Sequence, residues 1–150
     1  MSVKQTLRGM ATINYWADDM EAAVSWYSEV LGISPYFKRT GPSGELAYAE
    51  FRVGDYQHEL GLISRRYTPS QAVLGPGGAI MYWHVDDVEA TFTKLLDMGA
   101  KKYEPITPRG EGFVTASVTD PFGNVLGIMY NRHYLEMVEW MKRGSEVTND

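Results

Sequence analysis

The sequence predicts an α+β fold in which two βαβββ modules form a curved mixed-sheet cleft. The helices lie on its outer face, and an extra helix follows at the C-terminus. Two observations predict this architecture. A helical segment occurs twice, 68 residues apart, with strand-like runs before and after each copy. The runs alternate between apolar and polar residues, which is typical of a sheet that covers a helix with one face and lines a cavity with the other.

The repeated helix is the first element to justify. The segment "ADDMEAAVSWYSEVLGI" at 17–33 returns as "VDDVEATFTKLLDMGA" at 85–100, with apolar residues at helical spacing in both. Each copy begins with an aspartate that is predicted to cap the helix, has a glutamate three residues later to complete a capping box, and ends at a glycine. The pairs are Asp18 and Asp86, Glu21 and Glu89, and Gly32 and Gly99.

Strand-like runs surround each helix. The strands of module one (10–63) are predicted at 11–17, 33–39, 46–53 and 56–63, and those of module two (79–131) at 79–85, 100–106, 113–119 and 125–130. The linker at 64–78 contains Gly and Pro, which favour a loop, and the tail at 133–144 has the spacing of a helix. The 150 residues suit one domain made of two half-domains.

Period-two alternation sorts the strand residues into two faces. One face is apolar in every strand, whereas the other mixes polar and aromatic side chains, as a ligand cleft does, although a solvated sheet face would look the same. Trp16 and Tyr82 are predicted to face the cleft from equivalent strands, where they could stack on a flat or cationic ligand or pack against the partner module. The residues predicted to bind a ligand are Asn14, Trp16, Tyr48, Glu50, Glu59, Tyr82, His84, Phe113 and Met129.

Composition and charge exclude several classes of protein. The net charge of −5 argues against nucleic acid as a partner, because phosphate binding needs a basic surface. The chain contains no cysteine, which excludes disulfides, zinc–thiolate sites and cysteine nucleophiles. No apolar run of roughly 18 residues suggests a membrane span, and the N-terminus lacks the pattern of a signal peptide. We therefore expect a cytoplasmic protein.

Three segments together resemble the vicinal oxygen chelate superfamily, which has the glyoxalase, bleomycin resistance protein and dioxygenase fold. They are "DDMEAAVSWYSEVLGI", its echo "VDDVEATFTKLLDMGA" and the closing "DPFGNVLGI", and the resemblance covers roughly residues 10–131. It implies the two-module fold described above. Because this fold carries several chemistries, the resemblance does not by itself choose an activity.

The resemblance also implies where a metal would bind. Metal-dependent relatives take two ligands from each module, and the matching positions here are Thr12, Glu59, Ile80 and Gly127. Only Glu59 is a good ligand, so we expect no metal and no other cofactor, although a divalent metal on an altered site using His84 stays open. Gly127 is expected to leave room in the cleft for a ligand.

These expectations give three hypotheses. The first is a metal-independent protein that binds a small molecule and sequesters a cationic or aromatic compound, as bleomycin resistance proteins do, within a homodimer. The second is an enzyme of the glyoxalase, epimerase or dioxygenase kind, acting beside a carbonyl with an unusual metal site or with Glu59 and His84 as acid and base. The third is an interaction module whose C-terminal helix docks a partner through Leu135, Val138, Trp140 and Met141.

Overall fold

The computed structural model describes residues 5–73 and 75–147, without the side chains of 146 and 147. Contacts within the chain divide it into two compact units between Tyr67 and Thr68, inside the predicted linker. Each unit contains one four-stranded mixed sheet and one helix beside it, and a further helix follows the second sheet. The predicted α+β fold of two βαβββ modules is confirmed.

Module one forms a sheet of order β1-β4-β3-β2. The edge strand β1 is parallel to β4, whereas β3 is antiparallel to both β4 and β2. The elements are β1 Thr12–Ala17, α1 Met20–Leu31, β2 Phe37–Thr40, β3 Leu46–Val53 and β4 His58–Ser64. A short 3-10 helix at Arg65–Tyr67 follows.

Module two repeats this arrangement with the order β5-β8-β7-β6. Strands β5 and β8 are parallel, and the other pairs are antiparallel. The elements are β5 Tyr82–His84, α2 Val88–Asp97, β6 Lys101–Gly110, β7 Phe113–Thr119 and β8 Val125–Asn131. The C-terminal helix α3 spans Arg132–Val147 and is longer at both ends than the predicted 133–144.

Each sheet buries one face, as the alternation predicted. In module one the rings of Tyr15 on β1 and Tyr27 on α1 lie 5.7 Å apart, and Phe51 is fully buried beside them in the sheet core. In module two Leu95 of α2 and Val118 of β7 are buried in the same way. Burial of apolar surface therefore fixes which face of each sheet remains for polar residues.

Three strands differ from their predicted bounds by three residues or more, for identifiable reasons. Strand β2 begins at Phe37 rather than at 33, after Pro35, which has no N–H to donate to a ladder. Strand β6 runs to Gly110, beyond the predicted 106, because an edge strand with bulges tolerates its prolines. Strand β5 keeps only Tyr82–His84 of the predicted 79–85, since only these residues pair with β8.

The helix caps lie one residue later than predicted. Asp19 Oδ1 accepts the N–H of Ala22 at 3.1 Å, and Asp87 Oδ1 accepts that of Ala90 at 2.9 Å. The predicted capping boxes are therefore wrong, because a box glutamate must stand three residues after the cap. The preceding aspartates have other partners: Asp18 pairs with Arg65 at 3.4 Å, and Asp86 Oδ1 lies at hydrogen-bond distance from His84 Nε2, at 3.2 Å. Glu21 and Glu89 stand two residues after the caps.

The predicted helix-ending glycines both adopt positive φ. Gly32 has φ 70° and caps α1 in the left-handed conformation. Gly99 has φ 97° and follows the last turn of α2, where its N–H bonds to the carbonyl of Leu96 and the N–H of Ala100 bonds to that of Leu95. These two bonds form a Schellman motif, which satisfies the carbonyl groups at the helix end.

Among the helices in the described ranges, none is long and apolar enough to cross a membrane.

Helix α3 presents an apolar stripe to solvent. Trp140 is 62% exposed, and Met137, Met141 and Leu135 are also exposed. The stripe agrees with the helical spacing read from the sequence, and its polar side carries an ion pair between Arg132 and Glu136 at 3.6 Å.

We expect Asp19→Ala to lower the free energy of unfolding by about 0.5–2 kcal/mol, because the N–H of Ala22 loses its side-chain acceptor. The matched variant Asp18→Ala removes only an exposed ion pair and should cost at most about 1 kcal/mol. Urea unfolding followed by circular dichroism measures both. A larger loss for Asp18→Ala than for Asp19→Ala would contradict the observed cap.

Candidate ligand-binding faces of the two sheets

The polar face of the module-one sheet is a grid fixed by strand register. Glu59 on β4 lies between Thr12 on β1 and Arg52 on β3. In the next row Gly61 lies between Asn14 and Glu50. The register therefore brings Asn14, Glu50 and Glu59 together on one face, as the alternation predicted.

Gly61 allows the ring of Tyr48 to lie on the sheet. A Cβ at Gly61 would come within 2.8 Å of Tyr48 Cε2 and would also collide with Asn14 Oδ1. From this position the Tyr48 hydroxyl donates to Glu50 Oε1 at 2.5 Å. Burial, assisted by the charge of Glu59 and opposed by that of Arg52, raises the pKa of Tyr48, so this phenol remains protonated and donates.

Two carboxylates of module one compete for one cation. Glu59 Oε2 lies 3.1 Å from Arg52 Nη1, so the guanidinium pairs with this side chain. Desolvation raises the pKa of Glu50 to about 7, and a hydrogen bond with Glu59 and the charge of Glu59 add to the rise, while Arg52 opposes it. Near neutral pH the pair therefore holds between one and two negative charges.

Aromatic rings border this carboxylate pair. The ring centroids of Phe37 and Tyr48 are 6.2 Å apart, and Arg52 lies over the ring of Tyr36 at 4.8 Å. Phe37 and Tyr36 are exposed, whereas Trp16 is half-buried on the same face as Asn14. Of the predicted aromatic side chains of module one, Tyr48 contacts a carboxylate directly. Sequence reasoning missed Tyr36 and Phe37 because they precede or begin a short edge strand.

Module two repeats the glycine and tyrosine arrangement. Gly127 on β8 lies between Tyr82 on β5 and Ser117 on β7. A Cβ at Gly127 would meet Tyr82 Cδ1 at 2.7 Å, the carbonyl oxygen of Met81 at 2.8 Å and Ile80 Cγ2 at 2.9 Å. The expectation that Gly127 leaves room for a ligand is therefore wrong, because the Tyr82 ring and Ile80 fill that space.

Glu104 is the site residue that sequence reasoning missed. Its Oε1 accepts hydrogen bonds from the Tyr82 hydroxyl at 3.0 Å and from Ser117 Oγ at 3.1 Å. Its Oε2 lies 3.7 Å from Arg109 Nη2. Alternation along β6 does not reveal Glu104, because the register shifts on both sides of it. Desolvation, followed by the hydrogen bond with Glu104 and its charge, raises the pKa of Tyr82, which keeps the phenol a donor.

His84 is bonded within its own module. Its Nδ1 accepts the backbone N–H of Asn131 at 3.1 Å, and its Nε2 lies 3.2 Å from Asp86 Oδ1. The ring stacks on Tyr134 of α3 with centroids 4.8 Å apart, and the side chain is only 7% exposed. This geometry suits a residue that docks the first turn of α3, and an acid–base role with Glu59 stays a prediction.

Phe113 and Met129 complete the predicted set. Phe113 lies beneath the start of α3, where its ring is 5.0 Å from that of His133 and 5.8 Å from the guanidinium carbon of Arg132. Met129 Sδ lies 3.6 Å from Asn131 Nδ2, which donates to it. Both residues are half-buried on the polar face of their sheet, in the part nearest α3.

The donor set does not fit the divalent metal of the superfamily. Ile80 has no donor atom, Gly127 has no side chain, and Glu59 is paired with Arg52. The register of the two modules differs as well. Glu59 pairs with Thr12, whereas Gly127 pairs with Tyr82 and not with Ile80, so the two implied ligand positions of module two are not paired as those of module one are. Within residues 5–73 and 75–147, no group of three or more His, Cys, Asp or Glu side chains is arranged to hold a metal ion.

Comparison with known protein families agrees with the fold of two βαβββ modules. The model of the Glyoxalase/Bleomycin resistance protein/Dioxygenase superfamily matches residues 9–128. The chain belongs to this superfamily, as its repeated segments indicated. A search of curated protein sequences finds no match.

Solved structures share the fold at low sequence identity. A glyoxalase-related enzyme from Fulvimarina pelagi is 20% identical with a TM-score of 0.65, over 83% of this chain and 89% of that one. A glyoxalase I mutant from Zea mays is 22% identical with a TM-score of 0.63, over 81% and 45%. A mutant of the fosfomycin resistance protein FosX from Listeria monocytogenes, complexed with Mn(II) and 1S,2S-dihydroxypropylphosphonic acid, is 9% identical with a TM-score of 0.63, over 83% and 90%. At these identities the similarities show the fold alone.

We expect Gly127→Ala to lower the free energy of unfolding by about 1–3 kcal/mol, because the new methyl group meets the Tyr82 ring and the Met81 carbonyl, which accepts the Gly127 N–H. Gly144→Ala on α3 is the control, since open space surrounds that position and the change should be neutral or stabilising by up to about 1 kcal/mol. Chemical denaturation measures both. Equal stability of the two variants would show that Gly127 is not closely covered.

We expect the stability of the protein to fall between pH 5 and pH 8 through Glu50. A carboxyl whose pKa is raised on folding stabilises the fold below its unfolded value, ordinarily 4.5, and loses that contribution as pH rises through about 7. Glu50→Gln removes this titration, so the melting temperature of the variant should gain on that of the wild type as pH rises. Glu21→Gln, a carboxyl on the exposed side of α1, is the control. A constant difference across this range would exclude the raised pKa.

Proposed function

We propose that this superfamily member binds a cationic aromatic small molecule on the polar sheet face of module one, without a metal ion. The observation that carries the proposal is the pair Glu50 and Glu59 beside the rings of Tyr48 and Phe37. Carboxylates and ring faces both attract a cation, and a flat ligand gains dispersion contacts from the rings as well.

The charge on this face suits a positive ligand. Arg52 pairs with Glu59, whereas Glu50 accepts from the neutral phenol of Tyr48. Desolvation, followed by the hydrogen bond with Glu59 and its charge, raises the pKa of Glu50 to about 7. A cation at Glu50 would relieve the repulsion between the two carboxylates and displace the proton that the pair retains. Binding would therefore release a proton near neutral pH.

The donor set supports binding without a metal. Of the four superfamily ligand positions, Ile80 and Gly127 supply no donor, and Glu59 already has the guanidinium of Arg52 as its counter-ion. The polar face of module one carries instead a set of hydrogen-bonding groups that needs no ion to be satisfied, in which Tyr48 donates to Glu50.

The second candidate, an enzyme acting beside a carbonyl, is favoured by one feature. A carboxyl with a pKa of about 7 can both accept and return a proton near neutral pH, and Glu50 has that property while Tyr48 holds one of its oxygens in place. In that reading Glu50 would take the proton from the carbon beside the carbonyl and return it, on the same face, to the neighbouring carbon of the enediolate so formed.

Titration calorimetry with benzamidinium, and with neutral benzamide as its matched control, tests the proposal. We expect only benzamidinium to bind, in protein treated with chelator and shown by elemental analysis to contain no metal. Its affinity should rise about tenfold from pH 6 to pH 8, as Glu50 ionises. Glu50→Gln should weaken binding and remove the pH dependence, whereas Glu21→Gln changes the net charge equally and should do neither.

Three results would decide against the proposal. Equal binding of benzamide would remove the role of charge, and no binding until a divalent metal is added would restore a metal site. Exchange of hydrogen beside the carbonyl of pyruvate in deuterated buffer, lost in Glu50→Gln, would instead establish the enzyme.

The homodimer implied by the superfamily and docking through α3 stay predictions. Sedimentation equilibrium measures whether the chain forms a dimer.

A further inference from the structure

We propose that Glu104 is a ligand-binding carboxylate of module two, which takes the ammonium or amidinium group of a cationic ligand on its Oε2 side. This site lies outside the module-one face and does not depend on the function proposed there. It rests on the position of Glu104 in the sheet, on the two donors that hold it and on its loose ion pair.

The position of Glu104 follows from the strand register. Tyr82 and Ser117 are the direct neighbours of Gly127 on either side, and both donate to Glu104 Oε1, at 3.0 and 3.1 Å. Glu104 on β6 is also the direct neighbour of Ser117 on β7, and the ring of Tyr82 covers Gly127. The edge strand β6 therefore supplies a carboxylate that meets the Tyr82 hydroxyl on the far side of Gly127.

Two neutral donors orient this carboxylate without neutralising it. Ser117 is fully buried and Tyr82 is half-buried, so Oε1 is held on the sheet. The raised pKa of Tyr82 keeps its phenol protonated beside the carboxylate. Both donors bond to Oε1, and neither of these two bonds is made to Oε2.

The neighbouring guanidinium indicates what Oε2 would bind. Arg109 Nη2 lies 3.7 Å from Oε2, beyond hydrogen-bond distance, while Arg109 Nε donates to Thr115 Oγ1 at 3.1 Å. The side chain of Arg109 is 51% exposed and that of Glu104 is 35% exposed. An ammonium or amidinium group could therefore reach Oε2 and make the short charged hydrogen bond that Arg109 does not make.

Two glycine amides report separately on the two modules. We would titrate ¹⁵N-labelled protein with benzamidinium at pH 8 and follow the amide signals of Gly61 and Gly127 by NMR, with benzamide as the neutral control. We expect the Gly127 signal to move saturably with benzamidinium and not with benzamide. Movement of Gly61 alone would leave the module-one function standing and overturn the Glu104 site, and movement of Gly127 alone would do the reverse.

Three variants test the role of Glu104. Glu104→Gln keeps an acceptor for Tyr82 and Ser117, so the fold should persist, and it should weaken the affinity read at Gly127 by about tenfold or more while the Gly61 response is retained. Arg109→Gln removes the competing cation and should tighten binding several-fold. Ser117→Ala should weaken it less than Glu104→Gln, because one of two orienting donors remains.

The opposite outcomes are equally clear. An unchanged affinity at Gly127 in Glu104→Gln, in a variant whose NMR spectrum shows the native fold, would overturn the proposal. Loss of the Gly127 response in Arg109→Gln, together with a response of the wild type to benzoate, would show instead that the arginine binds an anionic ligand at this place.

Discussion

The close approach of a tyrosine ring to a glycine in the middle of a strand organises both sheet faces. At Gly61 and at Gly127 a Cβ would collide with the ring of Tyr48 or Tyr82. Because each ring lies against the backbone, its hydroxyl reaches a glutamate on the same face. Glycine weakens a strand by itself, so its presence here marks a place where another group needs the room.

The two faces use the same parts to different effect. In module one Tyr48 donates to Glu50 on its own strand, and desolvation together with a second carboxylate, Glu59, raises the pKa of Glu50. In module two Tyr82 donates to a glutamate of the edge strand, and Ser117 shares that acceptor. Proximity of two carboxylates gives the first face a proton to exchange, while the second face holds one oriented charge.

Much of this molecule follows from local patterns. The repeated helices, their closing glycines and strands β3 and β7 agree with the alternation and spacing of the sequence, because burial of one apolar face leaves a regular trace along the chain. The predicted cap residues were one position too early. Two adjacent aspartates precede each helix, and only the contacts that Asp18 and Asp86 make with Arg65 and His84 distinguish them from the true caps. The predicted length of strand β5 was too great, because pairing with β8 sets where this strand begins and ends.

The sequence by itself determined the superfamily, the two modules and the polar face of each sheet. These depend on residue identity and on period, which a chain carries locally. Only the tertiary structure decided that Tyr82 and Ile80 fill the space at Gly127, that His84 docks α3, and that Glu104 accepts from both Tyr82 and Ser117. The reason is register: bulges in β6 and pairing between distant strands set which side chains meet, and neither is encoded in neighbouring residues.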